Sequence, residues 1–341
     1  MKGYKALNMD MSSKYGGMAY EIGQKYTIAG ELEMCENGFH FCKELEDIEL
    51  YYKITESRIF EIEADGEIID GGNKSCAESI TLVRELSKKE IYQYFEDNQE
   101  NILQKSRYCR KALVDQKLCL DKLVNDGDSY VRMAVVRQGY DLETLIHDKD
   151  SWVRVAVAER GYRLDILVND ESVMVRIAVA RQGYGLDILV NDENYCVREE
   201  VVRQGYGLKT LVHDKDWEVR MEVANQRYRL DILINDPEPS IRAMVAKQGY
   251  GLETLIKDEN DCIREEVARQ GYGLDILIKD KSPIVRIAVA EQGYGLNILI
   301  NDENEWVQEA VARQGYGLDI LVHDENPWVR NAALNKLEAL Q

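Results

Sequence analysis

From about residue 108 onward the apolar positions recur every 22 residues, and within each interval they keep helical periodicity. In the interval DENYCVREEVVRQGYGLKTLVH (192–213), Val197, Val201 and Val202 fall at i, i+4 and i+5, one stripe on a short helix. Gly205 then provides a position where φ turns positive without a Cβ clash, which ends that helix. Leu208, Leu211 and Val212 predict a second short turn of helix, α or 3₁₀, and Asp214 restarts the cycle. Its carboxylate is placed to accept backbone N–H groups at the next helix start. Each unit thus reads as two short helices.

Fixed columns accompany the period. Tyr140, Tyr162 and their equivalents to Tyr316 stand 22 apart, as do the aspartates from Asp126 to Asp324. The arginines from Arg132 to Arg330 keep the same phase, broken at Gln308. Self-similarity at this period marks a solenoid, in which a unit buries its apolar face only against its neighbours. Columns that do not vary serve what all units share, namely stacking, and the Asp, Arg, Tyr, Gln and Leu columns are assigned to it. Such regularity argues against catalysis there, since a catalyst needs a unique constellation.

The Asp-x-x-x-x-Val-Arg pattern followed by small apolar residues resembles HEAT repeats, and Val175-Arg176-Ile177-Ala178-Val179-Ala180 is similar to the leucine-rich-repeat variant. In both families Asp and Arg form a ladder between adjacent units. The resemblance implies a mainly α fold: a right-handed α-solenoid of about ten 22-residue HEAT-like repeats over 108–341, behind a small α+β domain. The unit around 109–125 lacks the Tyr, as expected of a cap, and Leu334, Leu337 and Leu340 are expected to close the other end. Arg227 stands where the other full units carry Gly, and is expected to change how its helix ends and to bend the array.

The column four residues after each Asp varies most, and it holds Tyr130, Trp152, Trp306 and Trp328, with Tyr195 and Trp217 beside it. All four tryptophans of the chain therefore lie in the Asp-to-Arg segment, read as a connecting turn. Aromatic anchors at repeat-equivalent places predict a binding edge. The alternative is that each ring packs over its own helix start as a staple. Directly after the Arg and one further, another variable pair of positions becomes acidic mid-array, with Glu200, Glu222 and Glu266, each two after the Arg, as candidate contacts for a basic partner.

Residues 1–85 share nothing with the repeats. Strands are expected at 4–7, 24–28, 38–42, 58–64 and 67–69, with a turn at Asp65-Gly66 and a helix at 45–52. A linking helix follows over 86–105, within a connecting segment 86–107. The runs MKGYKALN, Glu36-Asn37-Gly38-Phe39-His40-Phe41-Cys42 and 58–66 resemble a small domain of unknown function found in phage and clostridial-type genomes. More distantly, GFHFC, then Tyr51-Tyr52, then RIFEIEADGEI is similar to the core of ADP-ribosyltransferase-like domains. That second resemblance implies His40, Tyr52 and Glu78 as a transferase site, although the Arg, Ser-Thr-Ser and Glu-x-Glu series is missing.

The chain has 62 acidic and 43 basic residues, a net charge of -19, about half of it before Lys105. Such a charge repels phosphate backbones and excludes ordinary nucleic-acid binding, while it suits a basic or nucleic-acid-binding protein partner. Seven cysteines without a CxxC pair, and four histidines, give no metal site and fit a reduced thiol set. The amino terminus lacks an apolar run and no segment approaches a membrane span, so a cytoplasmic protein without a membrane role is expected. No cofactor is called for. The favoured expectation is a non-catalytic macromolecule-binding repeat protein, a phage- or prophage-encoded factor that binds and inhibits a host defence protein. A transferase targeted by its solenoid, and an acidic mimic of nucleic acid, are the alternatives.

Overall fold

A central strand, Ser75–Glu85, organises the amino-terminal domain in the computed structural model, which describes residues 1–14, 17–34 and 36–340. In chain order the strands are β1 (Lys2–Leu7), β2 (Lys25–Thr27), β3 (Phe39–Phe41), β4 (Arg58–Asp70) and β5 (Ser75–Glu85). All their ladders are antiparallel. β5 pairs along β4, from Phe60↔Glu85 to Asp70↔Ser75. Its other edge takes β2 (Tyr26↔Ile80) and β3 (His40↔Cys76). β1 lies outside β4, with Tyr4 opposite Glu61. Tyr4 and Cys42 also exchange both backbone hydrogen bonds, at 2.7 and 2.8 Å, which ties β1 back to the end of β3. Leu7, Phe39, Phe41, Phe60, Ile62, Ile80 and Leu82 fill the core between them.

Two expectations are corrected here. Asp65-Gly66 is no hairpin turn: Gly66 takes φ +77° within β4, the register shifts between Asp65 and Ile68, and the strand continues to Asp70. A bulge uses the same glycine freedom that a turn does, so the dipeptide alone misleads. The chain reverses instead at Gly71–Lys74, where the Gly71 N–H donates to the Lys74 carbonyl at 3.1 Å. The segment expected as a helix over 45–52 is a 3₁₀ helix, Leu45–Leu50.

After β5, Ser87 and Glu90 form a reciprocal capping box that starts α1 (Lys88–Ile102). α2 (Arg107–Asp115) and α3 (Leu120–Leu123) make the first repeat. The amino-terminal domain is fastened to it: buried Glu46 accepts from Lys105 Nζ at 2.6 Å and from the Tyr94 hydroxyl at 2.8 Å. Cys109 of α2 packs its thiol over the Glu46 carbonyl.

A series of 22-residue helical repeats follows, each typically a nine-residue helix and a four-residue helix, as in Ser151–Glu159 and Leu164–Leu167. The chain divides into two compact units, Met1–Gln182 and Gly183–Gln341. In each, the same columns are buried: Val131, Val135 and Leu145 in one repeat, Val197, Val201 and Leu211 in another. Burying three or four such side chains per repeat drives stacking, at about 1.5–3 kcal/mol for each.

The Asp–Arg ladder is present in both units. Arg132 clasps Asp148 and Arg154 clasps Asp170 in the first; in the second, Arg198, Arg220, Arg242, Arg264 and Arg286 clasp Asp214, Asp236, Asp258, Asp280 and Asp302. Each contact is bidentate, and each arginine also donates Nη1 to the carbonyl of its own repeat's Asp, as Arg154 does to Asp148 at 2.7 Å. The ladder begins one unit earlier than the sequence columns, with Arg110 on Asp126 at 2.7 Å.

Arg227 does not alter its helix end. It adopts φ +57° itself, and its N–H donates to Ala224 O at 2.9 Å, as Gly205 does to Val202 O at 2.7 Å. The backbone bonds of the terminus and the buried Val223 hold the left-handed conformation, so the residue bears strain in place of the glycine. The closing helix Pro327–Leu340 forms, but Leu334 and Leu340 stay exposed, Leu340 by 66%, and do not seal the array as expected. Gln341 lies outside the described residues.

Candidate functional site

The aromatic column sits in the first turn of the longer helix, one step beyond the connecting turn expected from sequence. At three of the tryptophans the polar residue two places earlier caps the helix and fixes the aromatic residue's backbone; at Trp217 the N-cap residue Asp216 makes no such bond, and its carboxylate pairs with Arg198 instead. Asp150 Oδ1 accepts from the Trp152 N–H at 2.9 Å, Asn304 Oδ1 from Trp306 at 3.0 Å, and Asn326 Oδ1 from Trp328 at 2.8 Å. Capped or not, the four indoles are 44–69% exposed, Trp217 least and Trp328 most. A staple would bury the ring, and these four rings are not buried. Tyr195 is also exposed. Tyr130 is half-buried, its ring edge-on to Tyr108 at 6.0 Å and beneath the Arg107 guanidinium at 5.5 Å.

The acidic candidates lie differently. Glu200 is only 5% exposed and accepts from Gln204 Nε2 at 3.0 Å, so it offers no carboxylate to a partner. Its position two after the ladder Arg faces the interior in this repeat, which residue type alone did not reveal. Glu222 is half-buried and accepts from Asn225 Nδ2 at 3.1 Å, and Glu266 accepts from Gln270 Nε2 at 2.8 Å. Neighbouring Glu199 is pushed above the usual carboxylate range by burial, with Glu222, Glu200 and Glu218 adding to the effect and Arg203 opposing it.

Sequence reasoning missed a second exposed apolar series. Ile188, Ile276, Ile298 and Ile320, third in their four-residue helices, are 50–62% exposed. The signal was present: an Ile repeated between Leu columns at a place where stacking demands nothing. The Tyr column, assigned to stacking, is itself about 41% exposed at Tyr184, Tyr272, Tyr294 and Tyr316. Tyr162 does meet its neighbour, donating its hydroxyl to Glu143 Oε2 of the preceding repeat at 2.9 Å.

In the amino-terminal domain the proposed transferase trio does not converge. His40 and Tyr52 line one cavity of about 170 Å³. Glu78 instead accepts from the Glu67 N–H at 3.1 Å, beside the β4 bulge. His40 is driven down to about 4 by burial and by the Lys74 and Lys5 charges, which keeps its imidazole neutral near pH 7. Among the described residues no cluster of metal-ligating side chains occurs and no helix is long and apolar enough to cross a membrane. Cys42, Cys109, Cys119, Cys196 and Cys262 are free thiols, while Cys35 lies outside the described residues.

These features define a helical-repeat protein carrying a small antiparallel-sheet domain at its amino terminus. Residues 1–94 match a domain of unknown function, DUF7666. No curated protein is matched. Among solved structures, the chain is similar to an engineered protein (15% identity, 74% of this chain and 95% of that chain, TM-score 0.24). It is also similar to a computationally designed armadillo repeat protein for modular peptide recognition (14% identity, 74% and 94%, TM-score 0.11).

Proposed function

We propose that this is a non-catalytic binding protein whose repeats hold a protein partner through aromatic side chains at the starts of their longer helices. One observation carries the reading: every tryptophan of the chain is exposed, at a repeat-equivalent helix start. Stacking alone gives no reason to place large apolar rings in water, whereas Trp is among the residues that dominate binding energy in protein interfaces. The net charge of -19 favours a partner with a basic surface and would speed its encounter at low salt.

In its finer form the proposal makes the protein a cytoplasmic, phage- or prophage-encoded factor that binds and inhibits a host defence protein. That form is motivated by the resemblance of residues 1–85 and by the acidic charge. Mimicry of nucleic acid has less support, because Glu200 is buried and Glu222 and Glu266 are engaged by side-chain amides. The transferase alternative has less support because Glu78 lies apart from the His40 cavity. The test is capture from the native source cell on the immobilised full chain, then titration of the purified captured protein. A saturable complex with one protein is expected; a lysate that yields only nucleic acid, or covalently modified proteins after incubation with NAD, contradicts the reading.

A further inference from the structure

The cavity beside β3 has a composition unlike the rest of this acidic chain. Its walls are Lys5, Lys74, His40, Ser13 and a set of rings that includes Tyr20, Tyr51 and Tyr52, and among the described residues no carboxylate lines it. Asp47, whose charge acts on Cys42 of the cavity wall, is itself bonded by Asn73 Nδ2 at 3.1 Å. In a chain with 62 acidic residues, a carboxylate-free cavity that gathers ammonium groups is selective for anions.

The ammonium groups are held in place. Lys5 is only 8% exposed; its Nζ donates to the His40 carbonyl at 2.8 Å and lies 5.1 Å from the centre of the Tyr20 ring. Lys74 lies 5.1 Å from the centre of the Tyr51 ring. Lys14, next to Ser13, lies 5.6 Å from the Tyr52 ring and donates to the Tyr51 carbonyl at 3.0 Å. Two Lys–Tyr pairs, Lys5 with Tyr20 and Lys74 with Tyr51, therefore line one small space, and Lys14 meets the outer ring Tyr52, each ring attracting its ammonium by a cation–π contact. Burying Lys5 in this way is costly unless an anion compensates it. Fixed point charges beside hydroxyl and imidazole groups are a phosphate-binding set.

We propose that this cavity binds a nucleotide, its phosphate held by Lys5 and Lys74 and its base laid against the tyrosines at the mouth. Size separates the two ends. At about 170 Å³ the space is smaller than the roughly 300–1,000 Å³ of pockets that enclose a whole drug-sized ligand. It holds a phosphate and part of a sugar, leaving the base at the rim, where Tyr51 is the most exposed of the three rings. The site is a binding site and not a transferase centre, since Glu78 lies elsewhere.

The experiment is calorimetric titration of the full chain with AMP, GMP, CMP and UMP, alongside ribose 5-phosphate, the four nucleosides and inorganic phosphate. At least one nucleotide is expected to bind, with ribose 5-phosphate, its nucleoside and phosphate each weaker by about tenfold or more. Lys74→Glu, at a half-exposed position, should abolish binding in a chain whose circular dichroism and melting show it folded. Tyr51→Ala should weaken the nucleotide but leave ribose 5-phosphate unchanged. Lys88→Glu, on α1 outside the cavity, should change nothing. Failure of all four nucleotides overturns the proposal, as does nucleotide binding that survives Lys74→Glu in a folded variant. Ribose 5-phosphate binding as tightly as the best nucleotide also overturns it, because the base would then have no place.

Discussion

Arg242 and Asp258 face each other across a repeat boundary through two parallel hydrogen bonds, Nε to Oδ2 at 2.7 Å and Nη2 to Oδ1 at 3.0 Å. The third guanidinium nitrogen donates to the Asp236 carbonyl at 2.7 Å, and Asp258 Oδ1 also accepts from the Asn260 N–H at 2.9 Å. One side chain thus joins the helix start of its own repeat to that of the next. Deleting Asp258 leaves a guanidinium largely out of water without its partner. Asp258→Ala is expected to cost about 3–5 kcal/mol and to lower the melting temperature. Gln308 supplies the opposite test. It keeps the carbonyl contact, to Asp302 O at 2.9 Å, but has no charge to pair with Asp324. Gln308→Arg should raise the melting temperature by restoring a rung.

Backbone strain at Arg227 predicts a stabilising change. A non-glycine residue at φ +57° costs about 1–2 kcal/mol, so Arg227→Gly should stabilise by about 1 kcal/mol in urea denaturation at unchanged m-value. Gly251 predicts the reverse. It has φ +61°, and a Cβ there would lie 2.2 Å from Ile234 Cδ1. Gly251→Ala should destabilise by more than about 1 kcal/mol.

Lys5 gives the amino-terminal domain a distinctive alkaline pH dependence. Burial lowers it from 10.5 to about 8. Below pH 8 the folded and unfolded chains both carry the proton, and the desolvation cost is fully present. Between about 8 and 10.5 the folded chain has released the proton while the unfolded chain still binds it, so stability rises with pH. The gain approaches about 3 kcal/mol at the alkaline end, by 1.36 kcal/mol per unit. Melting temperatures compared with Lys5→Met, which should lose this rise, check it. The ladder acts at the acid end. Burial pushes Asp258 and Asp280 upward, but their arginine bonds outweigh it and hold both below the ordinary 3.8. Their stabilisation is complete above that value and is lost as pH falls through the lower folded-state value.

The repeat architecture was legible because one interaction set is written many times: a period, a glycine, a Leu and the Asp and Arg of the ladder. The amino-terminal sheet was legible only in part. β5 is buried on both faces at Cys76, Ala77, Ser79 and Ile80, so it lacks the alternation that betrays a half-buried strand. The lysine–tyrosine cavity was invisible for a different reason. Lys5 and Lys74 are far apart in sequence and come to one cavity only through the pairing of β1, β3 and β5. The tryptophans were found by their place between Asp and Arg, but periodicity does not show that their rings are exposed.

Affinity and stability measured together on the tryptophan variants test the central claim most directly. Trp152→Ala, Trp217→Ala, Trp306→Ala and Trp328→Ala, combined in one chain, remove exposed rings without opening the buried Val and Leu columns. The account predicts that Kd for the captured protein partner rises by about 30-fold or more, the equivalent of roughly 2 kcal/mol, while the melting temperature stays within about 2 °C of the parent. Unchanged affinity in a chain that melts several degrees lower would contradict it, and would return the tryptophans to the role of packing over their own helices.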